Sequence, residues 1–386
     1  MRVLVIHNRY LQAGGEDTVV CDEWELLRGR GIEVQKYERD NVDIANLSRL
    51  RVAADTIWSR RSCREVGAVL DQFSPDIVHC HNTFPLVSPS VYWAAADRGI
   101  PVVQSLHNFR LACPQAFLLR NGKPCEDCLG TLPWRGVVRR CYHGSAAQSA
   151  VLVAMIGAHR TIGTYRHSVT RYIALNEFCK SKFVESGLPA ERIVVKPNFV
   201  DLPPVPADAP RIGALFVGRL SREKGLHAMA GAFAALRPGN ATLHVIGDGP
   251  DAGVLSAIHG VHMYGQLSSA QTYDAMARAA YLLVPSIWYE NFPRVLVEAF
   301  ACGLPVITSR LGAMAELVED GFTGLLAEPG DAVSLAERIS WANAHPSSMR
   351  EMGQAARRRY EQKYTGEANF ARLTAIYREA IAEERQ

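Results

Sequence analysis

Glu290 and Glu298 stand eight residues apart, directly after an apolar run at 280–285 that is typical of a buried strand. Between the two acids, Asn291 and Pro293 are residue types that open helices. Glu290 is therefore predicted in a loop over a helix N-terminus, with Glu298 more than a turn further along. Backbone N–H groups at such a terminus bind phosphate, and carboxylates accept hydrogen bonds from sugar hydroxyls. Two acids on a solvated helix face are the alternative, but their place after a buried strand favours a ligand site.

Arg219 and Lys224 form a second charged pair, in a loop that follows the strand predicted at 212–217. A helix is predicted to begin at Ser221 or next to it. The guanidinium of arginine forks onto two oxygens of an anion, and lysine adds a point charge. Two fixed cations beside a helix N-terminus predict a diphosphate site. Ordinary surface charges are the alternative.

Gly14 and Gly15 lie at the turn between a strand predicted at 2–7 and a helical segment at 16–30. Glycines at such a turn let backbone N–H groups approach a phosphate. The helical segment is amphipathic, and the residues predicted on its buried face are Val19, Val20, Trp24 and Leu27.

Together these segments resemble the donor-binding half of glycosyltransferase family 4, whose members are retaining enzymes of the GT-B fold. The likeness covers about residues 210–330 and includes the tracts 299–307 and 321–326. It implies a nucleotide-diphosphate sugar as donor, linked to uridine or guanosine, and catalysis without a metal or other cofactor. It also implies that Gly14 and Gly15 face the donor diphosphate across a cleft.

The donor-site residues that the resemblance implies in the second half are Arg219, Lys224, Glu290, Asn291, Phe292 and Glu298. The two cations, the two backbone N–H groups and the helix dipole would stabilise the departing diphosphate. Glu290 would hold hexose hydroxyls and Glu298 the ribose diol. Retention would follow from a same-face displacement in which the leaving phosphate helps to deprotonate the acceptor, so no nucleophile is assigned.

His107 follows the strand predicted at 101–104, at its carboxyl end. The family often has a histidine near the donor sugar after the corresponding strand, so the resemblance implies an active-site role for His107. His79 and His81 follow the preceding strand and are weaker candidates, although His81 and Asn82 could line the acceptor side. A structural role is the alternative for each histidine.

Apolar runs alternate with helical stretches along the whole chain. The predicted strands are 2–7, 32–37, 76–80, 101–104, 171–175, 212–217, 241–246, 261–264, 281–285 and 305–308. This alternation predicts an α/β protein with parallel sheets covered by helices. Ligands bind such sheets at the carboxyl ends of the strands. We expect the GT-B fold, with two facing Rossmann-like domains and a cleft between them.

The predicted domains are 1–200 on the acceptor side and 208–365 for the nucleotide sugar, joined by a proline-rich linker at 196–206. Residues 366–386 are helical in pattern. Their apolar face comprises Phe370, Leu373, Ile376 and Tyr377. In GT-B relatives the last helix crosses back to the first domain, and the resemblance implies the same here.

The net charge of +3 conceals an asymmetry. Residues 1–200 carry 25 Lys/Arg against 19 Asp/Glu, net +6, and residues 201–386 carry 17 against 20, net −3. The clustered basic residues are Arg49, Arg51, Arg60, Arg61, Arg64, Arg135, Arg139, Arg140, Arg160, Arg166 and Arg171. Trp58, Trp134, Tyr142 and Tyr165 are interleaved with them. The mixture favours an anionic membrane or a lipid-diphosphate acceptor over nucleic acid, for which no recognition motif accompanies it. Solvated helix faces are the alternative.

The chain shows neither a run of about 20 apolar residues nor a signal peptide, because the apolar start at 2–7 is too short. We expect a cytoplasmic protein that could dock at the inner face of the membrane. The predicted function is transfer of a hexose to a lipid-linked or polysaccharide acceptor. The alternatives are a soluble small-molecule glycosyltransferase, a nucleotide-sugar epimerase of GT-B fold, and a non-catalytic module that binds zinc and nucleic acid.

Four of the nine cysteines are clustered in a segment, 108–144, that looks like an insertion after the fourth strand. They are Cys113, Cys125, Cys128 and Cys141. A Cys-x2-Cys pair flanked by two single cysteines could wrap a tetrahedral zinc ion, and a segment with little core would gain stability from it. Four free thiols packed beneath the loop are the alternative.

Overall fold

The computed structural model describes residues 1–11, 14–203, 211–236, 241–256 and 258–384. The chain divides into two units. The first comprises Met1–Leu118, Cys125–Asn198 and Asn369–Gln386, and the second comprises Leu119–Pro124 and Phe199–Ala368. The predicted linker is free of helix and strand over its described part, 196–203, and its remaining residues lie outside the described ones.

The strands are β1 (Arg2–Arg9), β2 (Glu33–Asp40), β3 (Ile77–Cys80), β4 (Val102–Ser105), β5 (Leu119–Arg120), β6 (Lys123–Pro124), β7 (Arg171–Ala174), β8 (Ile193–Val195), β9 (Ala214–Val217), β10 (Leu243–Ile246), β11 (Val261–Met263), β12 (Tyr281–Val284), β13 (Val306–Ser309) and β14 (Gly324–Ala327). All ten predicted strands are among them. The sequence pattern missed the short β5–β6 hairpin, β8 and β14.

The α-helices are α1 (Gly15–Gly29), α2 (Arg49–Ile57), α3 (Arg60–Phe73), α4 (Ser90–Ala96), α5 (Arg135–Val138), α6 (Ala146–Thr161), α7 (Thr164–His167), α8 (Glu177–Glu185), α9 (Leu226–Ala235), α10 (Gly253–Ser256), α11 (Ser269–Arg278), α12 (Arg294–Ala301), α13 (Gly312–Leu317), α14 (Ala332–Ala344), α15 (Pro346–Lys363) and α16 (Gly366–Glu384). Short 3₁₀ turns occupy Asn41–Asn46, Ala190–Arg192 and Arg222–Lys224. In the described part of the chain, no helix is both long and apolar enough to cross a membrane.

Each unit contains one six-stranded parallel sheet. The strand order is β2-β1-β3-β4-β7-β8 in the first unit and β11-β10-β9-β12-β13-β14 in the second. Pairing in register places Val3 opposite both Val34 and Ile77. In each sheet the second strand of the unit is added on one side of its first strand, and the later strands on the other side. The point where the strand order reverses is the topological switch point, and such sheets bind ligands there, at the carboxyl ends of the strands.

The central strands are apolar throughout because helices cover both faces of each sheet. All four residues of β3, β4, β12, β13 and β14 are buried. The core of the first unit includes side chains from the last helix, α16, which are Leu373, Ile376, Tyr377 and Ala380. The predicted return of the C-terminal helix to the first domain is therefore confirmed.

Two helix starts differ from the prediction. Helix α9 begins at Leu226 rather than near Ser221, because Gly225 adopts a left-handed φ of 78° and breaks the preceding turn. Helix α12 begins at Arg294, with Pro293 rather than Asn291 at its cap. The loop after β12 is thus longer than the sequence pattern indicated.

The buried face of α1 also differs from the prediction. Glu23 is buried beside Val19, Val20 and Leu27, whereas Trp24 is partly exposed. Two cations cover the indole instead: the guanidinium of Arg28 lies 4.5 Å from its ring centre, and Lys36 Nζ lies 4.0 Å from it. An amphipathic ring is stable at such a boundary position.

Candidate functional site

The loop after β9 carries Arg219 and Lys224 and lies against the loops that follow the neighbouring strands. Leu220 N–H donates to the carbonyl of Asp248, after β10, over 2.9 Å. The backbones approach so closely here that a Cβ on Gly247 would stand 1.9 Å from the carbonyl oxygen of Gly218. Only glycine fits such a contact, so the two loops form one rim at the carboxyl edge of the sheet.

The same loop meets the loop after β12. Ile287 N–H donates to the carbonyl of Glu223 over 2.9 Å. A Cβ on Gly225 would stand 1.9 Å from the carbonyl oxygen of Pro285. The left-handed glycine therefore permits the contact that sets the position of Lys224, its neighbour in the chain.

Lys224 and Glu290 are brought together by this packing. Lys224 Nζ lies 2.6 Å from Glu290 Oε1, and the hydroxyl of Ser286 donates to the same oxygen over 2.7 Å. The lysine also stands 5.6 Å from the centre of the Trp288 ring. Glu290 is 6% exposed. A nearly buried carboxylate paired with a lysine at the carboxyl end of a parallel sheet is a polar site that can bind a polar ligand.

The other predicted residues of the second unit lie on the same loops or on α12. Arg219 is exposed on the loop after β9. Asn291 is buried, and the Phe292 ring packs edge-on against Tyr364. Glu298 lies within α12, where its Oε1 accepts a hydrogen bond from Arg294 Nε over 3.0 Å. Because α12 begins at Arg294, the N–H groups of Asn291 and Phe292 belong to the loop before the helix.

Gly14 and Gly15 begin α1 in the first unit, with Gly14 at the cap position. The N–H of Gly14 donates to Asp17 Oδ2 over 3.0 Å, and Asp17 Oδ1 lies 2.9 Å from His7 Nε2. A Cβ on either glycine would meet no atom within 4 Å. The packing therefore leaves open space at the turn, as a ligand at the carboxyl end of β1 requires.

Four histidines gather at the carboxyl ends of β1, β3 and β4. They are His7, His79, His81 and His107. His81 Nδ1 lies 2.9 Å from His107 Nε2, and the two rings stack with centres 5.2 Å apart. Burial lowers the pKa of His79 to about 4 and that of His107 to about 3. The pKa of His81 is also lowered by burial. The imidazoles of His79, His81 and His107 are therefore neutral near pH 7.

A buried ion pair that the sequence pattern missed lies beside the histidines. Lys196 Nζ contacts Glu23 Oε1, and His81 Nε2 lies 3.8 Å from Glu23 Oε2. Although burial opposes ionisation of Glu23, the Lys196 ammonium holds the pKa of the carboxyl below its usual value. The signal was present in the sequence, since Glu23 lies on the apolar face of α1.

Glu23, His79 and His81 place ligand atoms within 4.8 Å of one another, which is a spacing that metal sites use. Both nitrogens of His79 are already engaged, with Ser105 Oγ at 2.8 Å and the Tyr377 hydroxyl at 2.7 Å. The adjacent Lys196 ammonium would repel a cation. The group is therefore a hydrogen-bonded network and does not fit a metal ion.

Two family models match the chain. The model described as Glycosyltransferase Family 4 matches residues 2–203, and the model described as Glycosyl transferases group 1 matches residues 204–359. The chain belongs to glycosyltransferase family 4. The prediction of this family is confirmed.

Curated relatives match part of the family 4 chain. It is 31% identical to the glycogen synthase of Mycobacterium tuberculosis over 196 residues, 47% of each chain. It is 29% identical to the phosphatidyl-myo-inositol mannosyltransferase of Mycobacterium leprae over 216 residues, 53% of this chain and 57% of that one. The chain thus spans about half the length of the curated relatives it matches.

The solved structure of Anabaena HepE in complex with UDP shares the fold. Its TM-score is 0.68 at 19% identity, over 97% of this chain and 99% of that one. The predicted GT-B fold, built from two Rossmann-like domains, is confirmed by this likeness and by the two parallel sheets.

One further polar group of the family 4 chain escaped the sequence analysis. The Tyr10 hydroxyl and Asn108 Nδ2 donate to Glu16 Oε2 over 2.9 and 3.3 Å. Burial raises the pKa of Glu16. Its second oxygen, Oε1, is buried and has no hydrogen-bond partner among the described residues. Asn108 follows His107, so this carboxyl lies next to the histidine cluster.

Among the four clustered cysteines of the family 4 chain, Cys113, Cys125 and Cys128 carry free thiols. Cys113 and Cys128 are each 8% exposed, and Cys125 and Cys141 are partly exposed. Burial, together with the neighbouring thiols of the other three cysteines, raises the pKa of Cys128 to about 11. The sulfurs of these cysteines do not form a group whose atoms all lie within 4.8 Å of one another. The zinc ion therefore stays a prediction.

Proposed function

We propose that the chain is a retaining glycosyltransferase that binds a nucleotide-diphosphate sugar at its second unit. The observation that carries the proposal is the Lys224–Glu290 pair at the carboxyl end of β9 and β12. Lys224 supplies a cation for phosphate oxygens, and Glu290, in contact with it, supplies a carboxylate for sugar hydroxyls. Exposed Arg219, on the same loop, supplies a second cation.

The reaction needs charge stabilisation more than it needs a nucleophile. The bond from the anomeric carbon to the diphosphate oxygen breaks, and the acceptor oxygen bonds to that carbon on the same face. The acceptor's proton passes to the leaving phosphate, which departs as the nucleoside diphosphate. Arg219 and Lys224 stabilise the negative charge that grows on the diphosphate, so no metal ion is invoked. Glu290 orients the hexose and Glu298 the ribose.

The donor would be linked to uridine or guanosine. The likeness to a protein that was solved with UDP supports a uridine donor as the first one to test. The family resemblance also assigns roles toward the donor to His107 and to the turn at Gly14 and Gly15, and these roles stay predictions.

A thermal-shift screen tests the donor. A ligand that binds only the folded state raises the apparent melting temperature by mass action. We expect a UDP- or GDP-sugar to raise it at concentrations where free monosaccharide does not. The variant Glu290→Gln should lose most of that shift, whereas Glu361→Gln, an exposed change on α15, should keep it. No shift with any nucleotide sugar would contradict the proposal.

Incubation of the donor with and without acceptor separates transfer from epimerisation. A new epimer of the donor sugar formed in the absence of any acceptor would favour the epimerase. The configuration of the product's anomeric carbon, read by NMR coupling constants, tests retention. An inverted product would contradict the same-face displacement.

The acceptor would be lipid-linked, or a polysaccharide growing at a membrane surface. Around α5 the apolar side chains Leu132, Trp134 and Val138 are exposed next to arginines, and the Arg135 guanidinium lies 5.7 Å from the centre of the Trp134 ring. Each basic side chain near an anionic surface contributes about 1 kcal/mol of attraction, and aromatic rings favour the interface. The matched relative named for a phosphatidyl-inositol acceptor supports the same class.

Co-sedimentation with liposomes tests this docking surface. Anionic vesicles should capture the protein at low salt, neutral vesicles should capture less, and salt should weaken the capture. Val138→Ser should reduce it, whereas Ile212→Ser should not, although both side chains are 72% exposed. Equal, negligible binding to both kinds of vesicle would favour a soluble acceptor and leave the donor proposal intact.

A further inference from the structure

The cysteine segment folds around the short helix α5. Arg135 Nη1 donates to the carbonyl of Asp127 over 2.7 Å, in the loop that carries the Cys-x2-Cys pair. Gly136 packs on Pro114 so tightly that a Cβ would stand 2.8 Å from its Cγ. Cys141 N–H donates to the carbonyl of Gly136 over 2.9 Å. One helical turn therefore gathers the parts of the chain that carry all four cysteines.

This segment is strained and poor in apolar core. Five of the seven non-glycine residues with positive φ that the structure describes lie within it, namely Ala116, Leu118, Asn121, Arg140 and His143. Residues persist in this region only when their surroundings hold them there, at a cost of order 1–3 kcal/mol each. Apart from Phe109 and Leu118, the buried apolar side chains here are small, such as Ala112, Ala116, Cys113 and Cys128. Apolar packing alone provides little of the necessary restraint.

We propose that Cys113, Cys125, Cys128 and Cys141 bind one structural zinc ion. Four cysteine sulfurs complete the tetrahedral coordination that zinc adopts in closed structural sites. The spacing has one close pair, Cys125 and Cys128, between two single cysteines. Zinc on four thiolates leaves a net negative charge, and Arg139 Nη1 already lies 4.0 Å from Cys125 Sγ to offset it.

Zinc binding would have to draw the sulfurs together. Four sulfurs bound to one zinc ion at about 2.3 Å lie about 3.8 Å from one another. The four cysteine sulfurs do not form a group within 4.8 Å of one another in the structure. Binding would also release the thiol protons, because thiolate sulfur is the form that binds zinc. The ion would therefore tighten the segment and should be bound more weakly as pH falls. This site is independent of the proposed transfer reaction.

The metal content of the protein tests the site. Protein purified from cells grown with added zinc should contain about one zinc per chain by plasma mass spectrometry. The double variant Cys125→Ser/Cys128→Ser should lose at least nine-tenths of it and melt at a lower temperature. The matched control Cys21→Ser/Cys63→Ser, outside the segment, should keep its zinc.

A zinc titration of the wild-type protein tests the site even if the double variant fails to fold. Reduced protein, stripped by a chelator, should take up about one equivalent of zinc in competition with a chromogenic chelator. The bound ion should slow the reaction of four thiols with a thiol reagent. Absence of uptake, unchanged zinc in the double variant, or intact masses showing disulfides among these four cysteines in the purified protein would overturn the proposal.

Discussion

Lys224 and Glu290 are separated by 66 residues in the chain, yet Lys224 Nζ lies 2.6 Å from Glu290 Oε1. Glycine at 225 permits this contact because the two loops touch backbone to backbone. A diphosphate would compete with the carboxylate for the lysine and leave the carboxylate oxygens for sugar hydroxyls. The pair would therefore contact both the diphosphate and the sugar of the proposed donor.

Replacement of Lys224 by alanine should lower kcat about 10²–10³-fold, because it removes a cation that stabilises charge developing on the leaving diphosphate. Initial rates of nucleoside diphosphate release measure the effect. Lys363→Ala, an exposed change on α15, is the control and should leave the rate unchanged. Near-full turnover by a folded Lys224→Ala protein would refute the diphosphate assignment.

Replacement of Glu298 by alanine should raise the KM for the donor about 10- to 150-fold and change kcat less, because a carboxylate–hydroxyl hydrogen bond contributes about 1.5–3 kcal/mol. Donors that lack a ribose hydroxyl provide the matched comparison. The penalty of the variant should shrink with a 2′- or 3′-deoxyribose donor, since the bond is then already absent. An equal penalty with every donor would mean that Glu298 acts elsewhere.

Replacement of Lys196 by methionine should lower the free energy of unfolding by about 3–5 kcal/mol, because Glu23 would be left buried without its partner. Urea denaturation measures the loss. Adding Glu23→Leu to the same chain should recover part of it. As a control, Arg61→Met removes an exposed pair with Glu65 and should cost only about 0.3–0.5 kcal/mol. Similar losses for both single variants would show that burial of the pair is energetically unimportant.

Stability should fall as pH drops from about 6.5 toward 4. An unfolded histidine has a pKa near 6.5, whereas the pKa of folded His79 is about 4 and that of folded His107 about 3. Below pH 6.5 the unfolded chain therefore binds protons that the folded chain cannot, which favours unfolding. Melting temperatures between pH 7.5 and 4.5 measure the slope. His79→Gln should flatten it and His259→Gln, an exposed change, should not; an unchanged slope in the first variant would contradict the assignment.

Much of the fold followed from local pattern. Runs such as 76–80 and 281–285 are apolar because their strands are buried on both faces, so periodicity and composition located them well. β14 escaped because Gly324 and the surrounding turn residues interrupt its apolar pattern. The start of α9 escaped for a different reason: the left-handed turn at Gly225 serves a contact with Pro285, 60 residues away, which no local signal reports.

The residues of the candidate site were also predicted only in part. Glu290 and Lys224 were predicted from residue type and position, but the contact between them required the tertiary structure. Glu23 was missed because an acid within an apolar stripe is ordinarily assigned to the solvent side, and its partner Lys196 lies in an irregular segment with no pattern of its own. Charge pairing across 173 residues is visible only after folding.

The placement of α16 has a consequence for synthesis. The ribosome releases residues 199–368 before the helix that supplies Leu373, Ile376 and Tyr377 to the first unit's core. At about 5–20 residues per second, translation leaves that core unfinished for many seconds after its first strands have emerged. The second unit can be complete while the first still exposes an apolar face. The first unit is therefore synthesised first but completed last. A nascent chain halted after the second unit and before residue 369 would still expose that apolar surface.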